Sequence, residues 1–538
     1  MGDSESPKCA LLCTFAFGSG KATLRSMRIG IVGAGFGGLS AAARLASDGH
    51  QVDVFEKQLG PGGKAFEERI NGYRFDTGPS LLTMRQVFSQ LFAECGEDLG
   101  DWVQTVPLDP ICHYFWDDGT RLHSRPSPGA FALELQNALG EDPAGLYAHL
   151  ERSREIYDIT AELFLWHSLH ERSTFGSPVF RRALRRVGRI DAFRTMDKAN
   201  RAHFRNPKAV QLFNRYATYN GSSPYLTPAT LNIIPHVEYG IGAWAIRGGI
   251  HALPQAMARL AESRGSRLHY GTTVEAIRTA GYGRNRSVLG LSVDGRNVDY
   301  DIVISNADVT PTYERLLRDT DARLYRRYQK LEPSSSGMVF YWGTRSSYPE
   351  FGVHNILFSN DYPGEFADLF EHGRMPTDPT VYINITSKVD PGDAPAGGEN
   401  WFILVNAPAD SGQDWEAERL RTRERVLARL RSVLGRDVES DIAVESHMLP
   451  PDIQRKTDSH RGSLYGISSN ARLSAFLRHP NRSRRYRGLY FAGGSAHPGG
   501  GMPLATLSGK ICADLIRRDA GQAPAPTTTV GGTTDRRD

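Results

Sequence analysis

The sequence predicts an α/β protein, a Rossmann-like domain interrupted by a second, mixed-sheet domain with a helical cap. Three observations predict it. An apolar strand at 28–32 runs into Gly33-Ala34-Gly35-Phe36-Gly37-Gly38 and then into an Ala-rich helix start. A second apolar strand at 52–55 ends in the acid Glu56. Segments of the same strand-and-turn character return only near 268–310 and 488–510, so the chain between them builds something else.

The first element is a GxGxxG turn in its full context. Gly33 permits the tight turn, Gly35 lets backbone approach a pyrophosphate, and Gly38 lets the helix pack against the strand. Phe36 and Gly37 open the helix, whose free N–H groups and positive dipole end suit phosphates. Glu56 stands where it can accept hydrogen bonds from a ribose. The alternative is a glycine-rich turn in an ordinary βαβ unit. A second glycine pair follows at Gly62-Gly63, just after Lys57 and before Lys64. Nicotinamide binding does not require it, and a longer, extended cofactor explains it better.

The run Gly72-Tyr73-Arg74-Phe75-Asp76-Thr77-Gly78-Pro79-Ser80 completes a pattern that resembles the FAD-dependent amine oxidase and carotenoid desaturase superfamily. The resemblance implies FAD, with Lys64 in the place of a more usual Arg near the flavin. It also implies a backbone contact from Val274 to the adenine side, and a return to the cofactor domain by the strand before Asn306-Ala307-Asp308. The closing motif, from Gly493-Gly494-Ser495-Ala496-His497-Pro498 through three glycines to Met502-Pro503, resembles the bacterial carotenoid desaturase branch, and within it the hydroxycarotenoid 3,4-desaturases (methoxyneurosporene dehydrogenases). Many relatives have an acid after the first glycine of this loop, where Gly494 and Ser495 stand here. In the family the helix opening at Pro503 points its N-terminus at the flavin and stabilises negative charge there.

Composition narrows the rest. The chain has 538 residues, 40% of them hydrophobic, enough for two or more domains, and its formal charge of +4 does not point to nucleic acid. No stretch supplies about 20 uninterrupted apolar residues, so no membrane-crossing helix is expected. Five scattered cysteines show no metal spacing and suit a reduced compartment. Residues 1–26 are expected to be a disordered extension and 520–538 a disordered tail. The cofactor domain is assigned to 27–105, 240–325 and 465–519, and the substrate domain to 106–239 and 326–464.

Within the substrate domain, 105–125 reads as a hairpin, 130–220 as mostly helical, and 330–345 and 380–406 as strands. A helix at 415–434 should bury Leu420, Val426, Leu427 and Leu430. Basic and apolar side chains alternate at helical spacing over 180–190, which reads either as a membrane-surface helix or as a solvated helix with a core stripe.

No triad or metal set appears, and the chemistry that the resemblance implies is redox chemistry through FAD. Tyr239 and Trp244 form a candidate wall near the flavin, with core packing as the alternative for Trp244. His497 is the one titratable group in the flavin-side loop and is the candidate proton acceptor, with loop orientation as its alternative. Asp76 and Glu238 are weaker candidates. The expected activity is removal of hydride and proton from an acyclic carotenoid, at C-3 and C-4 of a 1-hydroxycarotenoid, with oxygen or a quinone as electron acceptor. Competing readings are phytoene or diapocarotenoid desaturation, carotenoid oxidation or isomerisation, amine oxidation, and a non-catalytic flavoprotein. The expected location is the cytoplasmic face of the membrane, peripherally attached.

Overall fold

The computed structural model describes residues 26–283, 286–471 and 478–521. Almost all of the expected N-terminal extension and C-terminal tail, with Cys9 and Cys13, lies outside the described residues.

Five parallel strands form the first sheet, in the order Arg267–His269, Gln51–Phe55, Arg28–Val32, Ile302–Ser305, Leu489–Phe491. The register pairs Ile31 with Val54 on one side and with Ile304 on the other. Strands buried on both faces must be apolar throughout, as Ile29, Ile31, Val303 and Ile304 are. Two helices, Phe36–Ser47 and Met502–Asp519, pack on this sheet and on each other. Ser40 Oγ donates to the Thr506 carbonyl across that contact, 2.6 Å, linking the two ends of the described chain.

The second sheet has seven strands, in the order Ile442–Met448, Ser336–Thr344, Glu399–Ala407, Val381–Ile385, His354–Leu357, Cys112–Phe115, Arg121–Ser124. It is mixed, because His354–Leu357 runs parallel to Cys112–Phe115 while its other pairings are antiparallel. The stretch 380–406 is therefore two strands, with short turns between them. One face carries Trp342, Trp401, Ile403 and Leu357 and is covered by the helix Trp415–Leu434. That helix begins where Asp414 accepts from the Ala417 N–H at 3.1 Å, and ends at Gly435 in the left-handed region. Val426, Leu427 and Leu430 are buried, each contributing roughly 1.5–3 kcal/mol. Leu420 is 55% exposed, contrary to expectation.

The opposite face carries Tyr114, Ile356 and Tyr382 in one register row. Above it lie the cap helices Pro128–Leu139 and Pro143–Trp166, each opened by a capping side chain, Ser127 or Asp142, followed by proline. The basic stretch forms the short helix Pro178–Arg185, which buries no residue, so the core-stripe reading fails. Phe175, Leu184 and Val187 stand more than half exposed around it. Among the described residues no helix is long and apolar enough to cross a membrane.

Candidate cofactor cradle and active site

The glycine turn sits at the C-terminal ends of the parallel strands, where open α/β sheets bind ligands. Its glycines are required by close approach. A Cβ on Gly38 would lie 2.2 Å from the Gly33 carbonyl oxygen, and one on Gly37 would lie 2.6 Å from the Gly493 nitrogen. The helix Phe36–Ser47 opens without a capping side chain, leaving its first N–H groups available. Phe36 is buried and packs edge-on against Phe88, anchoring the helix start.

Glu56 is buried at the end of its strand. Its Oε2 accepts from the Ala34 N–H at 2.8 Å and its Oε1 from Gln58 N–H at 2.9 Å, which leaves lone pairs for further donors. Burial pushes its pKa up, against the pull of those N–H donors and of Lys57. Val274 begins the strand Val274–Ala280 just after Thr272, whose N–H donates to the Glu56 carbonyl at 2.8 Å. Glu56 and Val274 therefore meet at one end of the turn. Gly63 reaches the turn from another direction, since a Cβ there would sit 3.6 Å from the Gly35 Cα.

Lys64 Nζ donates to the carbonyls of Ser463 and Leu464 at 2.9 and 2.8 Å. Desolvation pulls its pKa down to about 8, with Asp308 acting in the opposite sense, so it is a cation at neutral pH. The Lys57 side chain is engaged on the protein. Its Nζ pairs with Asp458 Oδ2 at 2.7 Å and donates to the Arg455 carbonyl.

From the far end of the sequence, Gly493 and Gly494 lead the closing loop and Met502-Pro503 start the closing helix, again without a side-chain cap. Ser495 Oγ accepts from the Val309 N–H at 3.0 Å, tying the loop to the turn after Ile302–Ser305.

His497 stands apart from the role of proton acceptor. It is fully buried, its Nε2 lies 2.8 Å from the His167 carbonyl oxygen, and Phe164 and His170 ring it. Desolvation lowers its pKa to about 3, which keeps it neutral and poorly basic. A ring so placed braces the closing loop against the cap helix. Asp76 is likewise committed, to Arg74 at 3.0 Å and to the Ile250 N–H at 3.1 Å. Trp244 is half-buried on the strand Ala243–Ile246, opposite Leu82. Tyr239 belongs instead to a buried polar cluster, its hydroxyl 2.9 Å from that of Tyr216.

Sequence reasoning missed Asn306. Its Nδ2 donates to the Gly33 carbonyl at 3.2 Å, and its side chain fills the space between Gly35, Gly37 and Gly493. Its Oδ1 is buried without a partner. The two uncapped helix starts and the glycine-lined cradle fit a phosphate-bearing dinucleotide.

A sequence model of the family described as flavin containing amine oxidoreductase matches residues 36–517. The chain belongs to this flavin-dependent family. FAD is its cofactor. Among the family's curated relatives is the 1-hydroxycarotenoid 3,4-desaturase of Flavobacterium sp. (strain P99-3), 42% identical over 489 residues, which span 90% of this chain and 98% of that protein. The 4,4'-diapolycopene oxygenase of a Methylomonas species is 36% identical, over 92% of this chain and 99% of that protein. An oxidoreductase from Methanosarcina mazei shares the fold of this flavin-dependent chain, with a TM-score of 0.58 at 16% identity, over 90% of this chain and 99% of that one.

Proposed function

We propose that this flavoprotein desaturates an acyclic carotenoid, introducing the C-3,4 double bond of a 1-hydroxycarotenoid. The observation that carries this reading is the 42% identity to a 1-hydroxycarotenoid 3,4-desaturase over nearly the whole of both chains.

In this reading Gly33, Gly35, Phe36, Gly37 and Gly38 hold the diphosphate, with the helix start as the donor. Glu56 holds the ribose, Val274 flanks the adenine, and Gly63 and Lys64 line the ring side. Gly493, Gly494, Met502 and Pro503 direct the closing helix at the ring. Bound FAD supplies a hydride acceptor. The chain positions the polyene against it and keeps water out, with Trp244 as part of the wall. The positive end of the closing helix and the Lys64 ammonium would place positive charge on the ring side of the bound cofactor. His497 organises the loop.

We assign 27–105, 240–325 and 465–519 to the cofactor part and 106–239 and 326–464 to the substrate part. The exposed basic helix Pro178–Arg185 docks the cap on an anionic membrane surface, from which the substrate enters. Oxygen or a membrane quinone takes the electrons.

The test is expression in separate cells that accumulate a 1-hydroxylated acyclic carotenoid, neurosporene or phytoene, followed by pigment absorption and mass. Loss of two hydrogens from the hydroxylated carotenoid, with a red shift, is the expected result. A gain of oxygen would move the assignment to the oxygenases, and conversion of phytoene to the central desaturases. If FAD-loaded protein left every polyene unchanged, the reading would be overturned.

A further inference from the structure

The substrate-side face of the seven-stranded sheet contains a buried ion pair. Arg215 Nη2 lies 3.1 Å from Glu238 Oε1, with the two side chains 8% and 1% exposed. Tyrosine hydroxyls surround the pair. Arg215 donates to the Tyr114 hydroxyl from Nε and Nη2, at 3.0 and 2.6 Å. Glu238 accepts from Tyr216 at 2.8 Å on Oε1 and from Tyr219 at 2.6 Å on Oε2. The Arg215 guanidinium also sits 4.3 Å above the Tyr216 ring.

Such a cluster is costly to bury, and well-packed apolar side chains of the same volume often serve stability as well or better. A hydrocarbon polyene cannot hydrogen-bond to it. Two features mark it as a binding group. The Arg215 bonds to Tyr114, Tyr216 and Glu238 all run from Nε and Nη2, which leaves Nη1 outside them although the residue is 93% buried. Tyr219, in the interior, keeps partial exposure while its hydroxyl is held on Glu238. Glu238 Oε2 carries that single donor and has capacity for another.

A single turn of chain connects the cluster to the closing helix. Glu238 is in the π-helical turn His236–Ile241, and its neighbours Val237 and Ile241 share an apolar cluster with Leu504 and Leu507, one turn into the closing helix. In a 1-hydroxycarotenoid a single carbon separates the hydroxyl-bearing C-1 from C-3. A group that recognises this hydroxyl must therefore stand next to the place of hydride transfer.

We propose that Arg215, Glu238 and Tyr219 form the recognition site for the hydroxyl of the carotenoid end group. The hydroxyl oxygen accepts from Arg215 Nη1, and its proton is donated to Glu238 Oε2. This inference rests on the 3,4-desaturase reading and explains how that enzyme selects an oxygenated end over a plain hydrocarbon end.

The experiment compares kcat/KM of the FAD-loaded enzyme for a 1-hydroxylated acyclic carotenoid and for its non-hydroxylated counterpart of equal chain length. The wild type is expected to favour the hydroxylated one. Y219F removes one oxygen and should lower the ratio of the two values roughly tenfold. R215M/E238L removes both charges together, so no unpaired ion remains, and should lower the ratio further. Flavin absorbance of each variant reports that the cradle is intact. A wild type that turns over both carotenoids equally, or FAD-loaded variants with an unchanged ratio, would overturn this inference alone. A FAD-loaded wild type that converts neither carotenoid would overturn the desaturase reading, and this inference with it.

Discussion

Asn306 holds the cradle from behind, with one amide placed against the glycine turn and the closing loop. Asn306→Ala should weaken FAD binding about tenfold, the size of one lost buried hydrogen bond with its packing, as read by flavin fluorescence titration. Its role was not legible in the sequence, because it stands about 270 residues from the turn and only the pairing of Ile302–Ser305 with Arg28–Val32 brings it there. The turn itself was legible, since Gly33, Gly35, Gly38 and Glu56 form a local pattern whose chemistry depends on spacing. The partner of the Lys57 side chain was not legible either. Lys57 follows Glu56 directly, but the chain turns its side chain outward to Asp458, 401 residues away in sequence. For His497, sequence shows a titratable ring in a loop but not the burial that removes its basicity.

At the scale of elements, helical periodicity was a good guide to existence and a poorer one to orientation. On Trp415–Leu434, Leu420 lies about 120° around the axis from Val426, just beyond Leu427, the edge of the buried sector. One position past that edge is enough to leave a leucine in water. The basic helix Pro178–Arg185 was read as two alternatives, and its complete lack of buried residues removes the core stripe from one of them. Part of its charge is engaged, since Arg182 pairs with Glu162 at 2.8 Å. Reversing Arg181, Arg182 and Arg185 to Glu should still reduce binding to vesicles containing phosphatidylglycerol by at least about 100-fold at low salt, at about 1 kcal/mol per basic residue. Cosedimentation checks this, and the effect should shrink as salt rises.

Across the whole molecule, the two sheets were legible as apolar strands, but which residues meet between them was not. Arg215, Glu238 and Tyr114 come from three separate segments and show no mutual signal in the sequence. Stability should carry a pH signature from the substrate side. Glu365 is buried and accepts from Thr380 and Asn406, and burial pushes its pKa up to about 7 from 4.5. The folded state then keeps a proton that the unfolded state has released between those values. Stability should therefore fall as pH rises across that window, by on the order of 3 kcal/mol, and level off above it. Glu365→Gln should flatten that slope in thermal melts from pH 5 to 8.

The handclasp of the helices Phe36–Ser47 and Met502–Asp519 has a consequence during synthesis. The Ser40–Thr506 bond joins residues 466 positions apart, and a Cβ on Gly509 would lie 2.2 Å from the Gly37 carbonyl oxygen. A chain emerging from the ribosome displays its phosphate turn well before the partner that seats it, 466 positions later, has been made. Contacts of such separation form slowly and leave apolar surface waiting. The cradle is thus completed late in the order in which this polypeptide is made.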